Sequence, residues 1–186
     1  MKRLIISLLS ILTFAAADAA SVTEHVNPFV GTSNYGTTNP GALCPNGMMS
    51  VTPFNVMGSE TNRFDKDSRW WSTPYSSDNS FFTGFSHVNL SGVGCPEVGI
   101  ILTMPTTGEV NPDYHIYGSE MHDQQAEPGW YSCMLGSYGI RAEATATTRT
   151  CVERYTYPEG RSNILINLGE GLTNETGAWL RKVSET

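Results

Sequence analysis

From Cys95 onward the sequence is a succession of short β-prone runs, VGIILTM, WYSCML, GIRAEATATTR, TCVERYTY and NILINL, separated by Gly, Pro and polar residues. Runs of this length, rich in branched and aromatic side chains, suit strands and are too short for ordinary helices. Between Ile140 and Thr147 the side chains alternate, Ile140, Ala142, Ala144 and Ala146 against Arg141, Glu143, Thr145 and Thr147. A period of two places one set in a core and the other in water, as in an antiparallel sheet with one solvated face. Gly136-Ser137-Tyr138-Gly139 lies between two such runs and predicts a hairpin. No segment keeps a helical apolar period beyond two turns, and no internal repeat or long linker divides the chain. The expected fold is all-β, an antiparallel β-sandwich in a single domain.

Ser21 to about Ser91 has a different texture, crowded with Gly, Asn, Ser, Thr, Pro and aromatic residues. It reads as mostly loop, with Met48 to Phe54 (MMSVTPF) as its one strand. With 18 acidic side chains against 11 basic ones and a net charge of -7, the chain lacks the clustered Lys and Arg that phosphate binding needs, which excludes a nucleic-acid partner. A hydrophobic content of 39% likewise excludes a disordered acidic tail.

At the N-terminus, MKRLIISLLSILTFAAADAA places Lys2 and Arg3 before an apolar run and small residues, the pattern of a secretory signal. Ala17-Asp18-Ala19 fits the cleavage pattern, so residues 1–19 are expected to be removed, with Ala20 as the neighbouring alternative. Leu4 to Ala17 is shorter than the roughly 20 apolar residues that cross a hydrocarbon core, so no membrane span is expected. The expected location is secreted or periplasmic.

Cys44, Cys95, Cys133 and Cys151 admit three pairings, between which the sequence does not choose, and buried free thiols or one bridge are the expectation. Neither a C-x-x-C spacing nor a helical His pair marks a zinc site. Asp65, Asp67 and Asp78 share an aromatic loop, and Asp65 with Asp67 could bind calcium through added backbone oxygens. Without an EF-hand spacing, solvated turn acids are the favoured reading, and Glu97 is weaker still. No metal ligand is assigned in this chain.

Three stretches go further: VNPFVGT at Val26 to Thr32, PGALCPNGMMSVTP at Pro40 to Pro53, and GFSHVNLSGVGCPEVGIILTMPTTG at Gly84 to Gly108. With PGWYSCML, YGIRAEATATTR, ERYTYPEG and LGEGLTNETGA following in order, the chain resembles the N-terminal domain of glycoside hydrolase family 92, secreted bacterial α-mannosidases. The resemblance covers about Val26 to Ala178, essentially all of the chain after the export signal.

The resemblance implies a two-domain enzyme, an N-terminal β-sandwich packed on a C-terminal (α/α)6 barrel, with the active site at the junction. It implies calcium-dependent hydrolysis of terminal α-mannosidic bonds of mannose-containing glycans, with inversion. One carboxylic acid protonates the leaving oxygen and a second carboxylate activates water, the two held roughly 6.5 to 9.5 Å apart. The barrel is implied to supply these carboxylates and most calcium ligands, so no catalytic residue is assigned in this chain. Residues 20–186 are expected to be an incomplete sandwich domain, since the chain stops on polar residues just after a strand, before any barrel. Alone, it is expected to hydrolyse nothing.

In such an enzyme the sandwich lends one wall to the sugar site. Trp71 matches a tryptophan that precedes the GFSH motif at the same distance in the family, and an indole suits the apolar face of a pyranose. A core tryptophan is the alternative. His87 of GFSH could donate to a sugar hydroxyl or orient a barrel carboxylate, or be satisfied within the sandwich. Gly47, with Asn46 before it, suits close approach of backbone to ligand, or is a plain turn glycine.

Three departures concern the same loops. Pro45-Asn46-Gly47-Met48 replaces the common P-F-G-M, Asn89 stands where a second histidine often follows, and Asn34 to Asn39 lacks a common Gly-His pair. The linkage cut could therefore differ from the common α-1,2 bond. A stand-alone carbohydrate-binding module and a domain that only braces the barrel are the alternatives. On any sugar-binding reading, the abundance of Gly, Asn and aromatic residues is attributed to sugar-facing loops.

Overall fold

A computed structural model describes residues 22–67, 71–172 and 177–184. The export signal lies outside the described residues, as does Trp70. After a 3-10 turn at Val22–His25 come β1 (Ala42–Leu43), β2 (Ser50–Phe54), β3 (Phe81–Phe82), β4 (Gly84–Asn89) and β5 (Val98–Thr107). One helical turn, α1 (Tyr114–Tyr117), precedes β6 (Ser119–Glu127), β7 (Trp130–Leu135), β8 (Ile140–Ala146), β9 (Cys151–Thr156) and β10 (Ser162–Asn167). Two five-stranded sheets result, ordered β1-β2-β4-β5-β10 and β3-β6-β7-β8-β9, with every adjacent pair antiparallel. The expected antiparallel sandwich is the observed architecture.

The strand runs after Cys95 become β5 and β7 to β10, and the predicted hairpin joins β7 to β8 with Leu135 opposite Ile140. Alternation does what the pattern requires: Ile140, Ala142 and Ala144 are buried, while Arg141, Glu143 and Thr145 are not. Together with Tyr131, Cys133 and Leu135 of β7 they meet Val51, Phe85 and Met104 of the first sheet in the main core. Burying each of these larger side chains contributes about 1.5–3 kcal/mol.

Two expectations need correction. The stretch before Ser91 holds β1, β3 and β4 besides β2, so it is less loop-like than its composition implies. Its strands are short, or interrupted by Gly and polar residues, and gain their order from pairing partners distant in sequence. β6 also escapes notice, because SEMHDQQAE is polar almost throughout. It is held between β3 and β7 by the backbone ladder.

The loop between β2 and β3 folds over the first sheet and buries Val56, Met57, Phe64 and Trp71 with Phe54, Leu102 and Leu172 in a second cluster, without a residue of the second sheet. Irregular backbone buried in this way must find hydrogen bonds outside a ladder. Asparagines supply them. Asn55 Nδ2 donates to the carbonyls of Ser76 and Asn79 at 2.8 and 3.0 Å, and Asn55 Oδ1 accepts from Ser76 N at 2.8 Å. Asn79 Nδ2 donates to the carbonyls of Asn55 and Phe64 at 2.8 and 2.6 Å, and its Oδ1 accepts from Phe64 N at 3.1 Å. Asn62 adds a bond to Asn55 O at 3.0 Å. These three asparagines hold the loop rather than face a sugar.

All four cysteines are free thiols. Only Cys133 is fully buried, and burial pushes its thiol up to about 12, leaving it protonated and unreactive.

Candidate functional site

His87 sits in β4, opposite Val51 of β2 and Ile100 of β5. It is 7% exposed, with Nδ1 2.7 Å from Ile101 O and Nε2 3.3 Å from Glu153 Oε1 on β9. The contact joins the two sheets. Glu153 also accepts from Thr103 Oγ1 at 3.0 Å, and Thr103 lies 3.2 Å from the Tyr155 hydroxyl. Burial pulls the His87 pKa down, but the Glu153 carboxylate and the carbonyls of Ile101 and Ile100 outweigh it, so the net shift is upward. Both ring nitrogens are engaged inside the sandwich, which favours the reading of a histidine satisfied there over donation to a sugar hydroxyl or orientation of a barrel carboxylate. Glu153 was missed, although the alternation in TCVERYTY, with Cys151, Glu153 and Tyr155 on one side, places an acid in line with inward residues.

Trp71 belongs to the second cluster. It is 7% exposed and stacked on Phe64 with ring centroids 4.0 Å apart. Tyr35 lies 6.1 Å from it and is itself largely exposed. Of the two readings of Trp71, a sugar platform and a core tryptophan, this packing favours the core. The loop carries enough apolar surface, in Val56, Met57 and Phe64, to bury it whole. Its Nε1 is buried without a hydrogen-bond partner among the described residues, as is Thr73 Oγ1.

The acids of this loop make no cation cage. Asp67 accepts from Lys66 Nζ and from the Tyr114 hydroxyl, each at 3.2 Å, on its two carboxylate oxygens. Asp65 Oδ1 takes the Asp67 N–H at 2.8 Å, a local turn bond. Asp78 Oδ2 accepts from Asn34 N at 2.7 Å and from Arg63 at 3.3 Å. No group of three or more His, Cys, Asp or Glu among the described residues could hold a metal ion.

Asn46 and Gly47 form a turn in which Gly47 N donates to Cys44 O at 2.7 Å. Asn46 has φ of 58°, a left-handed conformation that Asn tolerates and most side chains avoid. A Cβ on Gly47 would lie 3.3 Å from Thr148 Cα and 2.8 Å from Cys44 O, so the close approach that this glycine permits is to the 147–150 turn. The expected approach is thus to protein backbone rather than to a ligand.

Two of the three departures from the family pattern, the 34–39 loop and Asn89 at the foot of the 90–97 loop, fall at segments that the fold brings together. Gly92 N donates to Thr37 O at 2.8 Å, and Asn39 Nδ2 reaches Leu90 O at 3.4 Å, joining the 34–39 and 90–97 segments. Asn89 anchors the second loop, accepting from Ser86 Oγ at 2.7 Å and donating from Nδ2 to Ser50 Oγ at 3.2 Å. Val88 and Val98, which flank that loop, have φ of 57° and 58°. For a β-branched residue this costs on the order of 1–3 kcal/mol, and such strain concentrates where loops serve function. Leu90, Val93 and Cys95 are left exposed on this loop pair, which is the candidate functional surface. Trp71, His87 and the Asn46-Gly47 turn occupy three separate environments: the loop cluster, the space between the sheets and the 147–150 contact.

Among the described residues no helix is long and apolar enough to cross a membrane. The chain is similar to a family 92 α-mannosidase of Bacteroides thetaiotaomicron solved with mannoimidazole, at 34% identity and a TM-score of 0.70, covering 81% of this chain and 20% of that one. It is similar to a second solved family 92 glycosyl hydrolase at 31% identity and a TM-score of 0.71, covering 82% of this chain and 21% of that one. A secreted glycosidase of Arthroderma benhamiae is 28% identical over 160 residues, 80% of this chain and 19% of its own length. The chain therefore spans about a fifth of the length of the relatives it matches. The model of the glycosyl hydrolase family 92 N-terminal domain matches residues 25–186, and on that match and this geometry the chain belongs to glycoside hydrolase family 92, as its N-terminal domain.

Proposed function

We propose that this chain is the N-terminal β-sandwich of a secreted exo-α-mannosidase that cleaves terminal α-mannosidic bonds of glycans with inversion. The observation that carries the proposal is the match of residues 25–186 to the family domain, supported by likeness above 30% identity to a solved α-mannosidase. The enzyme's remaining length, including an (α/α)6 barrel, supplies the acid and the base, as the family resemblance implies. Calcium, held mainly by ligands outside this chain, would supply charge to polarise or orient the sugar in the assembled enzyme.

This domain braces the barrel and lends it one wall. The joined loops 34–39 and 90–97 are the surface suited to that, since they are exposed, strained at Val88 and Val98, and anchored from below by Asn89. The departures from the family pattern at Asn34 to Asn39 and at Asn89 then set the linkage preference at the leaving sugar. Residues 1–19 direct export and are removed, leaving a mature N-terminus at Ala20.

The test is turnover of an aryl α-mannoside by the longer enzyme. Activity should be lost with a calcium chelator, restored by calcium, and yield the inverted anomer first by NMR. Purified residues 20–186 should show none. Absence of turnover in the longer enzyme on any α-mannoside would remove the proposal.

A further inference from the structure

The outward face of the second sheet carries a groove whose residues Thr145 and Val152 flank the 147–150 turn. In β7, β8 and β9 residues alternate between core and solvent, so Trp130, Glu143, Thr145, Val152 and Arg154 emerge on the side opposite Tyr131, Ala144 and Tyr155. The register aligns them in two neighbouring rows. Trp130 lies opposite Thr145, which lies opposite Val152, and in the next row Glu143 lies opposite Arg154. Between them is a cavity of about 240 Å³, lined by these five residues and Ala144.

The chemistry of the lining is selective. Arg154 Nε and Nη2 donate to the two carboxylate oxygens of Glu143 at 2.7 and 2.8 Å, forming a fork that exists before any ligand arrives. Arg154 keeps its Nη1 hydrogens, and each Glu143 oxygen keeps accepting capacity. Beside this fork stand an indole and a 59% exposed valine. An aromatic wall next to a preformed donor–acceptor pair suits a pyranose, whose apolar C–H face packs on the ring while neighbouring hydroxyls bond to the fork. An anion would meet Glu143 and the net charge of -7. A protein partner would require far more apolar area than one Trp and one Val present. The volume falls somewhat below the roughly 300–1,000 Å³ of pockets for drug-sized ligands, which suits a single sugar residue.

We propose that this groove is a non-catalytic binding subsite for a sugar residue of an α-mannose-containing glycan, with Trp130 as its platform and the Glu143–Arg154 pair as its polar fork. The identity of the sugar rests on the functional reading above. Such a subsite would keep a polymeric or branched substrate near the enzyme between cleavage events.

The test is affinity electrophoresis of the full chain in gels containing α-mannan, with an α-glucan gel as the control. Wild type should be retarded by α-mannan and not by α-glucan, and Trp130→Ala and Arg154→Ala should each weaken retardation about tenfold or more. Equal migration with and without α-mannan, unchanged retardation of both variants, or equal retardation by the α-glucan would overturn the proposal. Arg154 is exposed, so Arg154→Ala remains decisive if Trp130→Ala does not fold. The assay involves no turnover. A longer enzyme without α-mannosidase activity would therefore sink the functional reading, whereas unchanged retardation of the variants would sink only the subsite.

Discussion

Two regions of this domain bury aromatic side chains by different means. Between the sheets, Phe85, Tyr131 and their neighbours are placed by strand alternation, and the backbone ladder satisfies the polar groups that come with them. In the layer over the first sheet, Phe64 and Trp71 are buried too, but the backbone beneath them is irregular and its hydrogen bonds run through Asn55, Asn62 and Asn79. An apolar core of the first kind depends on packing volume. One of the second kind depends equally on a few amides, because each unpaired buried peptide group costs about 1–3 kcal/mol.

The sharpest way to break this comparison is to delete one residue from each region. Phe85→Ala should cost about 4 kcal/mol by urea denaturation, as a large side chain removed from a packed core. Asn79→Ala should cost about 3 kcal/mol, although it removes almost no apolar surface, since it strands the groups that its amide holds. If Asn79→Ala costs less than about 1 kcal/mol, the loop layer does not depend on its amides.

A second comparison is electrostatic and sits between the sheets. The folded-state pKa of His87 lies above its unfolded value, so the protonated histidine's contribution is whole below about pH 6.5 and fades as pH rises through the raised value. Thermal unfolding from about pH 6 to about pH 9 should show wild type losing stability relative to His87→Gln, with the difference shrinking toward the alkaline end. A pH-independent difference would mean that the Glu153 contact is a neutral hydrogen bond.

The smallest effect concerns the turn at Asn46. With φ of 58°, Asn46→Ala should cost about 1 kcal/mol and Asn46→Gly close to nothing, read from urea midpoints. Equal losses in both would point to the Asn side chain rather than the backbone.

These regions also differ in how legible they are in the sequence. WYSCML, GIRAEATATTR and TCVERYTY show their strands and their inward residues directly, because a period of two is a local property of the chain. The motif GFSHVNLSGVGC marks the family, and two of the three departures from its pattern, residues 34–39 and Asn89, fall within or beside the joined loops 34–39 and 90–97. The candidate residues Trp71 and His87 were picked out by motif, yet their surroundings were not readable. Phe64 covers Trp71 from within the same loop, but only the folded loop decides which side of the indole it meets. His87 finds Glu153 from another sheet, 66 positions away in sequence.

By itself, then, the sequence determined the antiparallel sandwich, its alternating core and the family to which the chain belongs, since each follows from the order of neighbouring residues. Tertiary structure decided that polar β6 is a strand, that asparagines hold the aromatic loop, that Trp71 is covered, and that His87 closes on Glu153. The physical reason is common to all four. Each depends on groups far apart in the chain, whose approach only the packed sheets bring about.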